Sequence, residues 1–143
     1  MVSLETLFQL FLAALLGGAI GLEREYQRKE AGLRTYILVC LGSALFTIIG
    51  LEIFKSFGEV KNQDLIRIIQ AIAIGVGFIG GGLIVFKESR VQGLTTAAGI
   101  WVAAAVGVAV ATKLYIQALF ATFLAIGVLA GLRLLEEKLF YKN

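Results

Sequence analysis

The segment TYILVCLGSALFTIIGLEIF, residues 35–54, holds a single charged side chain in twenty residues and decides the fold class. Twenty residues of α-helix extend about 30 Å, which is the thickness of a bilayer's hydrocarbon core. The segment must be helical there because lipid offers no hydrogen-bond partners to exposed peptide groups. We interpret it as a membrane-spanning helix.

Four further apolar runs of similar length accompany this segment. They cover residues 4–22, 65–86, 94–111 and 114–132. Basic residues follow the first run rather than precede it, so we expect a retained span and not a signal peptide. Ten-residue segments of alternating polarity, typical of a transmembrane β-barrel, do not occur. We predict an all-α polytopic membrane protein of about five transmembrane helices. Residues 1–143 form a single transmembrane domain in this prediction, and residues 133–143 form a short cytoplasmic tail.

The composition narrows the chemistry of the chain. Of 143 residues, 59% are hydrophobic, 16% are charged and none is histidine. The lone cysteine, Cys40, lies in an apolar run and has no partner for an internal disulfide. No nucleophile–base pair is visible, so we predict no enzyme activity. We predict no resident cofactor; any metal would need oxygen ligands, which suit magnesium or calcium. The formal charge of +3 indicates loops that face anionic lipid, and we predict no nucleic-acid partner.

The basic residues predict the orientation of the bundle. Nine lie on the side of the first and third loops and the tail: Arg24, Arg28, Lys29, Arg34, Lys87, Arg90, Arg133, Lys138 and Lys142. Four lie on the other side: Lys55, Lys61, Arg67 and Lys113. The positive-inside rule places the N-terminus outside and the C-terminus in the cytoplasm.

Glycines predict close helix packing. Gly17-x-x-x-Gly21, Gly77-x-x-x-Gly81 and residues 127–131 share the spacing that allows helix backbones to approach, as does a ladder of small residues over 99–111. We assign helix packing to seven glycines: Gly17, Gly21, Gly75, Gly77, Gly80, Gly81 and Gly93. Together they favour a tight bundle and a homo-oligomer, with a dimer preferred.

Residues 75–80, GVGFIG, also match the dinucleotide fingerprint GxGxxG. That motif binds phosphate only between a strand and a helix, whereas this copy lies in the middle of an apolar run. We interpret it as helix packing. The alternative is a locally unwound helix whose carbonyl groups line a site, as in transporters.

A short internal echo points to a repeat. Residues 31–35, AGLRT, resemble residues 92–96, QGLTT, and each segment closes a basic loop and opens the next span. Two spans separate the copies, so a parallel repeat of two helical hairpins plus a fifth helix would explain them. The alternative is that two unrelated hairpins use similar turns. Thr35 and Thr96 would cap the helices that they begin.

Charged residues near the span ends are the functional candidates. Glu23, Arg24 and Glu25 close the first span, and Arg34 returns beside them; they form either a buried ion-pair cluster or an ordinary interface. Asp64 begins the third span, and Arg67 lies inside it, where a guanidinium normally faces an anionic partner such as Glu52 or Asp64. Glu25 and Asp64 are the leading carboxylates for a metal.

Several of these motifs resemble the MgtC/SapB family. They are Gly21-Leu22-Glu23-Arg24-Glu25, residues 31–35, Asp64-x-x-Arg67, residues 75–80, and residues 93–98 with Trp101. They occur in the family's order over about residues 15–110. The resemblance carries over these functional candidates: Glu23, Arg24, Glu25, Arg34, Thr35, Asp64, Arg67, Thr95 and Thr96.

The resemblance implies a bacterial inner-membrane protein linked to magnesium homeostasis and, in pathogens, to survival inside host cells. Better-studied members look like regulators associated with ATP synthase. Longer members continue into a cytoplasmic C-terminal domain, so we expect this chain to correspond to the transmembrane module alone.

Two functions follow from these expectations. One is a regulator that acts on other membrane proteins. The other is a transporter or channel for a cation (magnesium or proton) or a small solute, built on the two hairpins, with Glu25, Asp64 and Arg67 along its path.

Overall fold

Five membrane-length helices account for most of the residues that we describe from a computed structural model of the protein. It describes residues 4–57, 62–87 and 89–133, and the side chains of residues 57 and 62–64 are outside the description. The helices are α1 (Leu4–Tyr26), α2 (Leu33–Phe57), α3 (Asn62–Leu83), α4 (Leu94–Ala111) and α5 (Tyr115–Ile126), which continues as a π-helix over Gly127–Leu132. All five are long and apolar enough to cross a membrane, which confirms the predicted fold class.

The third helix ends earlier than the apolar run predicts. It stops at Leu83, and the chain then forms a small antiparallel hairpin of β1 (Val85–Lys87) and β2 (Arg90–Gln92). Three successive glycines, residues 80–82, weaken the end of the helix, and β-branched and aromatic side chains favour the extended strand that follows. Ser89 takes a positive φ of 64° in the turn.

The connections place two loops at one end of the bundle. Because the links are short, successive helices run in opposite directions, so the α1–α2 and α3–α4 links and the end of α5 share one end. We call it the basic end. Within the described residues it carries seven cations: Arg24, Arg28, Lys29, Arg34, Lys87, Arg90 and Arg133.

Small residues bring α1 and α4 against α2. A Cβ atom added to Gly17 would lie 2.6 Å from Cys40 Cβ, and one added to Gly21 would lie 2.8 Å from Tyr36 Cβ. On α4, Gly107 packs directly on the backbone of Cys40. Dispersion forces and close backbone approach hold such contacts together in lipid. The α1–α2 and α2–α4 contacts therefore form the most closely packed part of the bundle.

The third helix is peripheral. Of the five spans it has the smallest buried share, and α4 has the largest. A Cβ atom added to Gly80 would lie 3.4 Å from Ala97 Cβ of α4, whereas Cβ atoms at Gly75, Gly77 and Gly81 would meet nothing within 4 Å. Within one chain, packing therefore uses Gly80 but not the other three. Residues 75–80 lie in unbroken helix, which agrees with the helical interpretation of GVGFIG.

Candidate functional site

A polar cavity of about 480 Å³ lies at the basic end. The end of α1, the α1–α2 loop, β2, the start of α4 and the π-helix all contribute to its wall. Its polar lining consists of Arg24, Lys29, Glu30, Thr95, Thr96 and Arg133. Its apolar lining consists of Val91, Leu94, Val128, Leu129 and Leu132, with Gly93 between them.

Thr96 connects the start of α4 to the α1–α2 loop and to α2. Its hydroxyl group donates a 2.7 Å hydrogen bond to Glu30 Oε2 in the α1–α2 loop. Its carbonyl oxygen accepts a 3.1 Å bond from the buried Tyr36 hydroxyl of α2. The expectation that Thr96 caps α4 is wrong: Gly93 is the N-cap and no side chain caps the helix. The hydroxyl binds the Glu30 carboxylate instead, since a charged acceptor forms the stronger bond.

Glu30 is an exposed carboxylate held in its ionised form. The hydrogen bond from Thr96 is the main cause that lowers its pKa below the usual 4.5. A bond from its own backbone acts in the same direction, burial opposes both bonds, and the charges of Lys29 and Arg24 lower the pKa by smaller amounts. Glu30 is therefore a fixed negative charge on one edge of an otherwise cationic cavity.

Arg24 is the most deeply buried charge of the site. Its side chain is 2% exposed, and its Nε donates to Glu23 Oε2. Glu23 Oε1 is also buried and has no hydrogen-bond partner among the described residues. These two neighbours form an ion pair, as one of the sequence interpretations expected. Arg34 is exposed and takes no part in that pair.

Glu25 caps the second helix. Its Oε2 accepts a 3.0 Å hydrogen bond from the backbone N–H of Leu33, the first residue of α2. Gly32 lies directly against this carboxylate, and a side chain there would collide with it. A carboxylate at a helix N-terminus satisfies a free N–H group and interacts well with the helix dipole. This bond occupies one oxygen of a leading metal candidate.

Asp64 and Arg67 lie near the opposite end of the bundle from Glu25. The backbone of Asp64 belongs to the first turn of α3, and its side chain lies outside the described part. Arg67 is exposed, and its suggested partner Glu52 pairs instead with Lys55 at 3.2 Å. The structure therefore does not bring Glu25 and Arg67 into one site.

The described residues offer no cluster of three or more carboxylate, cysteine or histidine side chains that could hold a metal ion. Oε2 of Glu25 already accepts a hydrogen bond from a backbone N–H, and Thr35 is not among the residues that line the cavity. In the described ranges the side chains thus do not fit a dedicated magnesium site, and we assign none.

The two copies of the internal echo occupy matching places. The carbonyl of Gly32 accepts from Tyr36 N at 3.1 Å, and the carbonyl of Gly93 accepts from Ala97 N at 2.8 Å. Each glycine thus starts the first turn of its helix. They differ in one respect, because only Gly93 has a positive φ, 85°. The carbonyl of Leu83 also leaves no room for a side chain there.

A second, apolar groove of about 630 Å³ opens between α2 and α3. Small residues of both helices, including Gly42, Ala71 and Gly75, line it beside larger ones such as Phe46 and Ile79. It contains no charged side chain. It faces the region that lipid would occupy, so it offers a surface to an apolar partner.

Four residues of the site escaped the sequence interpretation: Lys29, Glu30, Tyr36 and Arg133. Glu30 directly precedes the echo segment, and Tyr36 directly follows it. Their positions beside the motif were therefore the available indication in the sequence that they belong to the site. Arg133 directly follows the π-helix, three residues of which also line the cavity, and π-helical turns are frequent at functional sites.

In the part of the chain that the structure describes, five apolar helices with the buried Arg24 at one end define a multi-pass helical membrane protein. The sequence model of the MgtC family matches residues 10–138, and the chain belongs to this family.

Three relatives illustrate the extent of the similarity. The chain is 39% identical to the "Putative magnesium transporter YhiD" of Escherichia coli K12, over 97% of this chain and 66% of the relative. It is 39% identical to "Protein SrpB" of Synechococcus elongatus, over 91% of this chain and 76% of the relative. It is 43% identical to "Protein MgtC" of Brucella abortus, over 89% of this chain and 51% of the relative. The chain thus spans between half and three quarters of these relatives. No solved structure matches it.

Proposed function

We propose that this chain is an inner-membrane protein that helps bacteria adapt to low magnesium by regulating other membrane proteins. The link to magnesium is supported by relatives whose names mention it, such as the putative magnesium transporter of Escherichia coli. The excess of basic residues supports an N-terminus outside and a C-terminus in the cytoplasm.

The closed centre of the bundle is the observation that carries the regulator proposal. Cys40, Ala44, Val106 and Val110 are each at most 1% exposed, and Gly107 packs on the backbone of Cys40. These contacts leave a tightly packed middle that, among the described residues, buries no charged side chain, and the buried Thr47 and Thr122 hydroxyls donate to carbonyls of their own helices. A solute path would need polar groups or water at this depth, since a desolvated ion is very costly in an apolar interior.

The apolar groove supports a partner within the membrane. Its small residues allow the backbone of another helix to approach, and a second copy or a subunit of another complex would bury it. Gly77 and Gly81 are open on the same helix and would serve a dimer in the same way. The family resemblance suggests ATP synthase as the first partner to test.

Transport of a cation or small solute is the second candidate. Two observations favour it: the polar cavity that enters the bundle at the basic end, and the exposed Arg67 within the third span. A path formed between copies in an oligomer would avoid the closed centre of a single chain.

Reconstitution separates the two functions. We expect proteoliposomes to show no magnesium or proton flux above protein-free vesicles. We expect added protein to reduce ATP-driven proton pumping by ATP synthase in the same membranes. The variant Gly75→Leu, which fills the groove, would weaken this inhibition, whereas Phe120→Leu on the exposed face of α5 would preserve it.

Two results would overturn the regulator proposal. One is magnesium or proton flux that Arg67→Ala abolishes. The other is unchanged proton pumping at every ratio of protein to ATP synthase, together with equal behaviour of the Gly75→Leu and Phe120→Leu variants.

A further inference from the structure

We propose that the polar cavity at the basic end binds a phosphate group, carried either by a free phosphate anion or by the headgroup of an anionic lipid. This inference concerns a ligand of the site and does not depend on the regulator proposal. Four features of the cavity support it: a buried guanidinium, an uncapped helix start, a second cation and an apolar wall.

The buried guanidinium is the first feature. Arg24 is 2% exposed, lines the cavity, and makes its one side-chain hydrogen bond within the described residues through Nε to Glu23. The two Nη groups carry four further N–H donors. The planar fork of these groups matches two oxygens of a phosphate. The ion pair with Glu23 fixes the position of the fork before any ligand arrives.

The start of α4 supplies backbone donors to the same space. Gly93, Leu94, Thr95 and Thr96 all line the cavity. The first bond of this helix runs from Ala97 N to the carbonyl of Gly93, and no side chain caps the N-terminus. The preceding N–H groups and the positive end of the 18-residue helix therefore favour an anion here. The turn that leads into the helix has a positive φ of 85° at Gly93, a conformation that favours glycine.

The charges and the apolar wall define the ligand further. Lys29 adds a second cation to the lining, while the hydroxyl of Thr96 holds the carboxylate of Glu30. Val128, Leu129 and Leu132 of the π-helix form an apolar side next to the charged one. This combination suits a phosphate that is attached to an apolar group, as in an anionic phospholipid. The charged side of the cavity would also accept a free phosphate anion.

Binding is tested with the full chain in two settings. In a neutral detergent, inorganic phosphate is titrated at constant ionic strength against chloride, and the thermal unfolding midpoint is measured. In nanodiscs of phosphatidylcholine, with or without phosphatidylglycerol, native mass spectrometry counts retained anionic lipids. A saturable rise of the midpoint with phosphate identifies the free anion. Retained phosphatidylglycerol without a phosphate response identifies the lipid headgroup.

Variants connect either response to the cavity. Arg24→Lys keeps a cation beside Glu23 but removes the planar fork, so we expect about tenfold or more weaker binding. Lys29→Gln changes an exposed side chain, leaves the core intact, and should weaken binding severalfold. Arg28→Gln is the matched control, because Arg28 is an exposed neighbour outside the cavity lining. This variant should bind phosphate or phosphatidylglycerol as the original chain does.

The proposal fails if neither phosphate nor phosphatidylglycerol produces a saturable response. It also fails if Lys29→Gln and Arg28→Gln bind equally well, because the attraction is then a property of the whole basic surface. If Arg24→Lys does not fold, the comparison of Lys29→Gln with Arg28→Gln still decides the outcome.

Discussion

The hydroxyl group of Tyr36 donates a 3.1 Å hydrogen bond to the carbonyl oxygen of Thr96, sixty residues away in the chain. Tyr36 belongs to the first turns of α2 and Thr96 to the first turn of α4, so the bond joins the residue that follows the first copy of the internal echo to the last residue of the second copy. The same Thr96 donates to Glu30 through its hydroxyl group. Thr96 thus connects α4 with α2 and with the α1–α2 loop, which borders the cavity.

Removal of the Tyr36 hydroxyl group should weaken this connection moderately. We expect Tyr36→Phe to lower the free energy of unfolding by about 1 kcal/mol, the scale of one hydrogen bond between membrane helices. Equilibrium unfolding in mixed detergent micelles measures the change. Tyr26→Phe is the control, because Tyr26 is 85% exposed. An equal loss in both variants would contradict the assigned role of the bond.

Gly17 should tolerate no larger side chain. Gly17→Leu would force α1 away from Cys40 and the backbone of Tyr36, and we expect a loss of about 1–3 kcal/mol from overpacking. The matched change, Gly77→Leu, places its side chain in open space within a single chain and should not reduce monomer stability. Unfolding of both variants gives the comparison. Loss of a dimer in Gly77→Leu alone, measured by analytical ultracentrifugation, would assign that face to oligomerisation.

The ionisation of Glu30 should depend on Thr96. Because the Thr96 hydroxyl is the largest cause of the lowered pKa, Thr96→Val should move the Glu30 pKa upward toward 4.5. A lowered pKa in the folded state adds stability above pH 4.5, and this stability disappears as the pH falls through the folded-state value. The stability difference between the original chain and Thr96→Val should therefore shrink in acid.

NMR titration of carbon-13-labelled glutamate carboxyl groups measures this shift. Thr95→Val is the control, since Thr95 lies on the same turn and lines the cavity without a bond to Glu30. If Thr95→Val and Thr96→Val move the Glu30 titration equally, the hydrogen bond is not its cause.

Loss of the Glu25 carboxylate should destabilise the first turn of α2. We expect Glu25→Ala to cost about 0.5–2 kcal/mol, as for the loss of a helix N-cap, and Glu25→Gln to cost less because its amide oxygen still accepts from Leu33 N. Hydrogen exchange at Leu33 should accelerate in Glu25→Ala. Glu52→Ala, which alters a carboxylate paired with Lys55 on the exposed surface, should leave that exchange rate unchanged.

Sequence reasoning reached the site only in part. Arg24, Thr95 and Thr96 were candidates and line the cavity, while Arg34 and Arg67 were candidates and lie elsewhere on the surface. From the sequence, a glutamate at the end of a span such as Glu25 is equally compatible with a metal ligand and with a helix cap. Its partner, the N–H of Leu33, appears only once the loop between them has folded back.

The amino-acid sequence by itself determined the number of spans, their helical state and the excess of charge at one end. Hydropathy and helix formation in lipid depend on contiguous residues, because each segment must satisfy its own peptide groups. Only the tertiary structure decided which glycines are contacts: Gly17 and Gly21 pack on α2, whereas Gly77 and Gly81, with the same spacing, face open space. The spacing permits a close approach, but the rotation of each helix against its neighbours selects the face that makes it. The cavity has the same origin, since Arg24 and Lys29 become neighbours of Thr96 only when the end of α1 and the loop after it pack beside the start of α4.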